Sequence, residues 1–147
     1  MTDANGFTFL ELIIVLTIAA ILAGISVLSH QALRPGLDLN AAARQVAMDL
    51  KVMRIRAVSD HVNHRLVFTE ETDSYQPQRR NGSSYRNDGA PLSLPHGIVV
   101  ATCAANDRAI GFGPRGNATS FGTVTLRNSK NDVRQVIVDI AGQVRVQ

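Results

Sequence analysis

A chain of 147 residues with 15 basic and 12 acidic side chains, net charge +3, has room for one modest domain and an anchor, but not for two domains. Aromatic residues make up only 5% and tryptophan is absent, which argues against a platform that stacks sugars or nucleobases. The single cysteine, Cys103, excludes an intrachain disulfide.

The first informative stretch is apolar. From Leu12 to Ser29 no formally charged side chain occurs. A helix over that stretch is roughly 27 Å long at about 1.5 Å per residue, close to the ~30 Å hydrocarbon core of a bilayer. Glu11 stands at its entrance, where an unpaired charge costs on the order of a few kcal/mol, so the carboxylate reads as functional. A conventional secretory signal begins with a basic segment and ends at small residues, whereas this chain opens Met1-Thr2-Asp3-Ala4-Asn5-Gly6. An ordinary single-pass anchor accounts for the apolar run but gives no reason for Glu11.

Beyond Ser29 the apolar pattern becomes one-sided, and Pro35-Gly36 predicts a kink or short break at the change. Leu39, Ala42, Ala43, Val46, Leu50, Met53 and Ala57 recur at three- and four-residue steps, a helical face for core packing, with Arg44, Asp49, Lys51, Arg54 and Arg56 mainly off it. After Ser59-Asp60 the signals are those of short strands. Leu66 and Phe68 alternate with their neighbours, and residues 70–74 read as a hairpin turn leading to Tyr75. A looser stretch, rich in turn residues, is expected from Gln76 to about Leu94. Strands are expected again at 97–102, 109–112, 122–127, 132–140 and 143–146, with Val136, Val138 and Ile140 on one face and Ala141-Gly142 as a tight turn. The fold class is therefore α+β, a long N-terminal helix packed on a body of six or seven antiparallel strands.

Gly6-Phe7, with Glu11 four residues beyond, resembles the class III signal of type IV prepilins and pseudopilins. The resemblance implies cleavage between Gly6 and Phe7, N-methylation of Phe7, and Glu11 as the carboxylate of subunit assembly. The leader departs from the usual pattern in carrying Asp3 and no basic residue. The arginine-rich end of the helix, Val67-Phe68, Ile110-Gly111-Phe112-Gly113, Gly122–Leu126 and Val136-Ile137-Val138 with Gly142-Gln143-Val144-Arg145 extend the likeness to the minor pseudopilin protein H of type II secretion and its FimT-like relatives among type IV minor pilins. The implied plan is a prepilin leader at 1–6, a transmembrane and assembly helix at 7–34, a periplasmic amphipathic helix at 35–59, and a periplasmic β-rich domain at 60–147. The implied place is the bacterial inner membrane, crossed once, with incorporation into a periplasmic pseudopilus. The implied partners are a prepilin peptidase, other minor and major pseudopilins, and the inner-membrane assembly platform, with no cofactor and no metal.

The alternative function within this resemblance is a FimT-like minor pilin acting in pilus initiation or DNA uptake. FimT-type relatives use a Gly-Arg-x-Arg pattern; here Gly142-Gln143-Val144-Arg145 retains one arginine. Arg145, with Arg134 from the preceding strand, is the candidate for a weak DNA contact. Other ingredients carry less. His61-x-x-His64 lacks two further zinc ligands and reads as a surface or interface pair. Glu70, Glu71 and Asp73 read as a solvated turn rather than a calcium loop. Gly111-x-Gly113-x-x-Gly116 matches a dinucleotide pattern by letters only, without a following helix. Cys103 reads as a buried small hydrophobe. No arrangement supports an enzyme.

Overall fold

The computed structural model describes residues 8–147, with the side chains of residues 25–35 outside the description. The chain divides into two compact units at Arg34/Pro35. Helix α1 (Phe9–Asp60) contributes to both. Thr8 caps its start: the Thr8 Oγ1 accepts a hydrogen bond from the Glu11 amide at 3.2 Å, and Leu12 N–H donates to the Thr8 carbonyl. Thr8-x-x-Glu11 thus has the spacing of a capping box, with the acidic side chain in the first turn, where the helix dipole favours it. The break expected at Pro35-Gly36 is absent, since the backbone stays helical through both residues. Proline there removes one donor from a ladder that long helical stretches on either side sustain. Among the described residues no helix is long and apolar enough to cross a membrane; the expected 7–34 span includes residue 7 and side chains that lie outside them.

In the C-terminal unit, α1 buries the predicted stripe: Leu39, Ala42, Ala43, Val46, Leu50, Met53 and Ala57 are all in the core. Ten strands follow: β1 (His64–Phe68), β2 (Ser74–Asn81), β3 (Ser84–Asn87), β4 (Leu92–Ser93), β5 (Ile98–Ala105), β6 (Ala109–Phe112), β7 (Ala118–Ser120), β8 (Gly122–Asn128), β9 (Val133–Val138) and β10 (Val144–Val146). They form two antiparallel sheets, one ordered β3-β2-β1-β6-β7 with β4 also paired to β2, the other β10-β9-β8-β5. Leu66, Phe68, Tyr75, Ile110 and Phe112 from the first sheet meet Ile98, Val100, Val124, Leu126, Val136 and Val138 from the second in one core cluster with the helix stripe. Polar contacts rim the docked helix. The Tyr75 hydroxyl donates to Asp49, Gln45 Nε2 donates to the Ser93 carbonyl at 3.0 Å, and Arg54 Nε donates to the Gly116 carbonyl at 2.7 Å. Burial, then the bond to Asp49, pushes the Tyr75 phenol well above its usual pKa, so it stays a donor at any physiological pH.

Two expectations are corrected. The stretch from Gln76 to Leu94 is not loose: β2 and β3 form a hairpin with Gln78 opposite Asn87 and Arg79 opposite Arg86. Gly82, at φ +62°, supplies the left-handed residue of its two-residue turn. Ile140 does not continue the buried face of Val136 and Val138; it lies past the end of β9 and is exposed. Ala141-Gly142 does form the expected turn. The Gly142 amide donates to the Asp139 carbonyl at 2.9 Å, and at φ +77° a Cβ on Gly142 would strike the Gly116 carbonyl, so only glycine fits.

The Asp139 carboxylate closes that turn by accepting the Gln143 amide at 2.9 Å and pairing with Arg145 at 3.2 Å. The bond from Gln143, then Arg145, holds its carboxyl below the usual carboxylate range. A depressed folded-state pKa means that the contribution is complete at neutral pH and fades as the medium becomes acidic. The stability advantage of the native chain over Asp139→Asn, followed by urea titration, is therefore expected at pH 7 and should shrink below about pH 4; an advantage independent of pH contradicts this account. Leu50, fully buried where helix meets both sheets, should cost roughly 2–5 kcal/mol on replacement by alanine, read from the same titrations, and a loss under about 1 kcal/mol would show that the site collapses around the gap.

Candidate functional site

Among the described residues no group of His, Cys, Asp or Glu is placed to hold a metal ion. Extended runs of exposed apolar side chains lie on α1. Gly6 and Phe7, the expected cleavage and methylation pair, lie outside the described residues. Glu11 lies within them, exposed in the first turn, its amide tied to Thr8. Around it Phe9, Leu10, Leu12, Ile13, Ile14, Val15, Leu16, Ile18, Ile21 and Leu22 are all exposed, from 45% to 79%. Such side chains point in every direction around the helix, and among the described residues they stay exposed. Covering them takes lipid or other apolar helices, and a carboxylate in that setting takes a cationic partner.

A second apolar stripe was not anticipated. Met48, Val52, Ile55 and Val58 are exposed on the outer side of α1, at 63%, 36%, 66% and 45%, opposite the face buried against the sheets. They recur at steps of four and three, so the signal is present in the sequence; the neighbouring Arg44, Lys51, Arg54 and Arg56 mask it. Two apolar grooves flank the stripe. One, about 440 Å³, lies among Ile55, Val58, Arg115 and Gly116. The other, about 240 Å³, lies among Ala47, Met48 and Val146.

The two arginines expected to meet a phosphate do not converge. Arg145 sits opposite Ile137 in the β9–β10 ladder and is spent on Asp139. Arg134 lies on the other face, that of Val136 and Val138, and its Nε donates to Asn40 of α1 at 2.8 Å. A DNA contact by this pair therefore requires both to leave their present partners.

The remaining ingredients serve the fold. His64 is not a surface residue but 1% exposed. Its Nε2 lies 3.1 Å from Asp60 at the end of α1 and its Nδ1 3.5 Å from Asp88, so it links the helix end to β1 and to the segment after β3. His61 is exposed, at φ +55°. Glu70 and Glu71 are paired rather than simply solvated, Glu70 with Arg108 and with the Cys103 amide, Glu71 with Arg127 at 2.7 Å. Cys103 is buried, and burial with Glu70 nearby pushes its thiol up to about 11, an unreactive thiol at neutral pH. Gly111 and Gly113 pack against Thr119, each too close for a larger residue without a shift, which accounts for the glycines without a nucleotide.

The comparisons with known proteins agree with this picture. The profile of the family described as Type II transport protein GspH matches residues 42–142, and a prokaryotic N-terminal methylation motif matches residues 1–27. No curated protein matches the chain. Among solved structures, the minor pseudopilin EpsH from the type 2 secretion system of Vibrio cholerae superposes with a TM-score of 0.59 at 10% identity, over 75% of this chain and 96% of EpsH. The type IV minor pilin FimU of Pseudomonas aeruginosa gives 0.57 at 12% identity, over 74% of this chain and 87% of FimU. At such identities the likeness is one of fold, the long helix on an antiparallel β domain. Because the profile spans more than half of the sequence, from the buried helix stripe to the β9–β10 turn, the chain belongs to the GspH family of type II transport proteins.

Proposed function

We propose that the chain is a minor pseudopilin, a structural subunit of the type II secretion pseudopilus that takes part in protein export across the outer membrane. The observation that carries the reading is the coincidence of three features: the GspH profile over the domain, the methylation motif over residues 1–27, and an α1 segment from Phe9 whose apolar side chains are exposed among the described residues. In this reading residues 1–6 are removed as a leader and residues 7–34 cross the inner membrane and pack with other subunits. Residues 35–59 and 60–147 then form the periplasmic helix and domain. The partners are the prepilin peptidase, sister minor and major pseudopilins, and the assembly platform. The outer stripe of Met48, Val52 and Ile55 extends the packing surface beyond the membrane, since exposed apolar side chains at helical spacing favour helix-to-helix contact.

Within the bundle, Glu11 attracts the α-amine of a neighbouring Phe7, and the low dielectric there strengthens the pair. A minor pilin role in pilus initiation or DNA uptake is the second reading, supported by the fold it shares with FimU. The single C-terminal arginine and its engagement with Asp139 weigh against DNA binding.

Two measurements test the primary reading. Mass spectrometry of the protein from peptidase-competent cells should give a mature chain beginning at N-methylated Phe7; an intact Met1 terminus removes the processing step and with it the assembly model. Glu11→Val should still insert and be cleaved, but its recovery with sister pseudopilins should fall at least severalfold, as expected for loss of one charge pair in a low-dielectric setting. Undiminished co-purification and secretion in that variant would leave Glu11 a helix-capping residue only.

A further inference from the structure

The β2–β3 hairpin carries an arrangement that folding alone does not explain. Arg79 and Arg86 stand directly opposite each other in the ladder, where residues are about 4.5–5.5 Å apart and like charges destabilise. Among the described residues neither side chain has an ion pair or a hydrogen bond. Both lie on the helix-facing side of the sheet, since Arg79 also pairs with the buried His64. They line, with Arg80, Asn81, Asn87 and Asp88, a cavity of about 300 Å³. The one carboxylate there is already shared: Asp88 stands 3.5 Å from Arg56 and 3.5 Å from His64 Nδ1. Arg80 is turned to the carbonyl of Gly82 at 3.0 Å. Two arginines thus stand opposite each other in the ladder and line one cavity, with no anion of their own among the described residues.

We propose that this cavity is a docking site for an acidic segment of a partner protein, in which Arg79 and Arg86 grip carboxylates and the amides of Asn81 and Asn87 complete their hydrogen bonds. Guanidinium groups bind carboxylates as planar two-bond forks, which gives geometry as well as charge. The distribution of the other arginines favours a short anionic segment over a polyanion. Arg65 stacks on Tyr85, and Arg108, Arg127 and Arg145 are paired with carboxylates. Among the described residues the hairpin has no further arginine without a hydrogen bond or ion pair, since Arg80 is bonded to Gly82, whereas tracking a phosphate backbone requires a run of cations. The proposal does not depend on the secretion reading and is decided by the domain itself.

The test is fluorescence anisotropy of a dye-labelled, N-acetylated Glu-Asp-Glu-Asp peptide titrated with the full-length protein in zwitterionic detergent at low salt. The expected result is saturable binding that weakens roughly tenfold or more in Arg79→Gln/Arg86→Gln and is unchanged in Arg108→Gln, an exposed arginine elsewhere. The double variant should also melt no lower than the parent, because it removes an uncompensated repulsion. Equal losses in both variants, or no binding, overturn the proposal. Competition by inorganic phosphate as strong as by unlabelled peptide replaces it with a small-anion site, and tighter binding of a DNA oligonucleotide that needs the same two arginines replaces it with a nucleic-acid contact. If the double variant unfolds, Arg79→Lys/Arg86→Lys keeps the charge without the planar fork; undiminished peptide binding there also refutes the carboxylate grip.

Discussion

Everything in the C-terminal unit depends on how closely one face of α1 approaches two sheets at once. That face is built from small and medium side chains, with Ala42, Ala43, Ala47 and Ala57 between Leu39, Val46, Leu50 and Met53. These small and larger side chains together form one core with the apolar residues of both sheets. Because both sheets close on the same helix, their edges are brought together, and Gly142 meets the Gly116 carbonyl near Phe112. Each sheet alone would leave half of its apolar face in water; with the helix between them the core closes as one cluster.

The same helix has two further faces of different character. From Phe9 to Leu22 its side chains are exposed all round, and from Met48 to Val58 an outer stripe remains uncovered behind the buried one. A protein meant to stay monomeric in water would bury or replace such residues. A subunit of a helical assembly retains them because neighbours cover them. On the domain surface Arg108, Arg127 and Arg145 are each paired with a carboxylate, whereas Arg79 and Arg86 face each other without one.

Much of this was legible in the sequence, for physical reasons that differ between elements. The buried stripe was read residue by residue because helical periodicity persists over five turns, and the 109–112 strand because its flanking turns bound it. The β2–β3 hairpin is not legible in the sequence because beyond Tyr75 and Pro77 its side chains are mostly Arg, Asn, Gln and Ser, which carry no apolar alternation. The burial of His64 is not legible for the opposite reason: its second carboxylate neighbour, Asp88, lies far along the chain, while only Asp60 is local. Gly6 and Phe7 are singled out only through resemblance and lie outside the described residues, and Glu11 is the N3 residue of a capped helix, which the Thr8-x-x-Glu11 spacing encodes. The separation of Arg134 from Arg145 depends on strand register, which a one-residue shift would reverse.

The fastening of α1 to the sheets also has a mechanical consequence. The contacts run the length of the helix from Leu39 to Ala57 and are joined by Gln45, Asp49 and Arg54 at successive turns. A pull along the helix axis therefore loads them in parallel, as shear, instead of peeling them one after another from an end. Sliding the helix by a single turn would have to displace every alanine from its seat and break all three polar ties together. The domain is in this sense a cleat on its helix: it resists tension along the axis far better than a sideways lift, which the same contacts would meet one at a time.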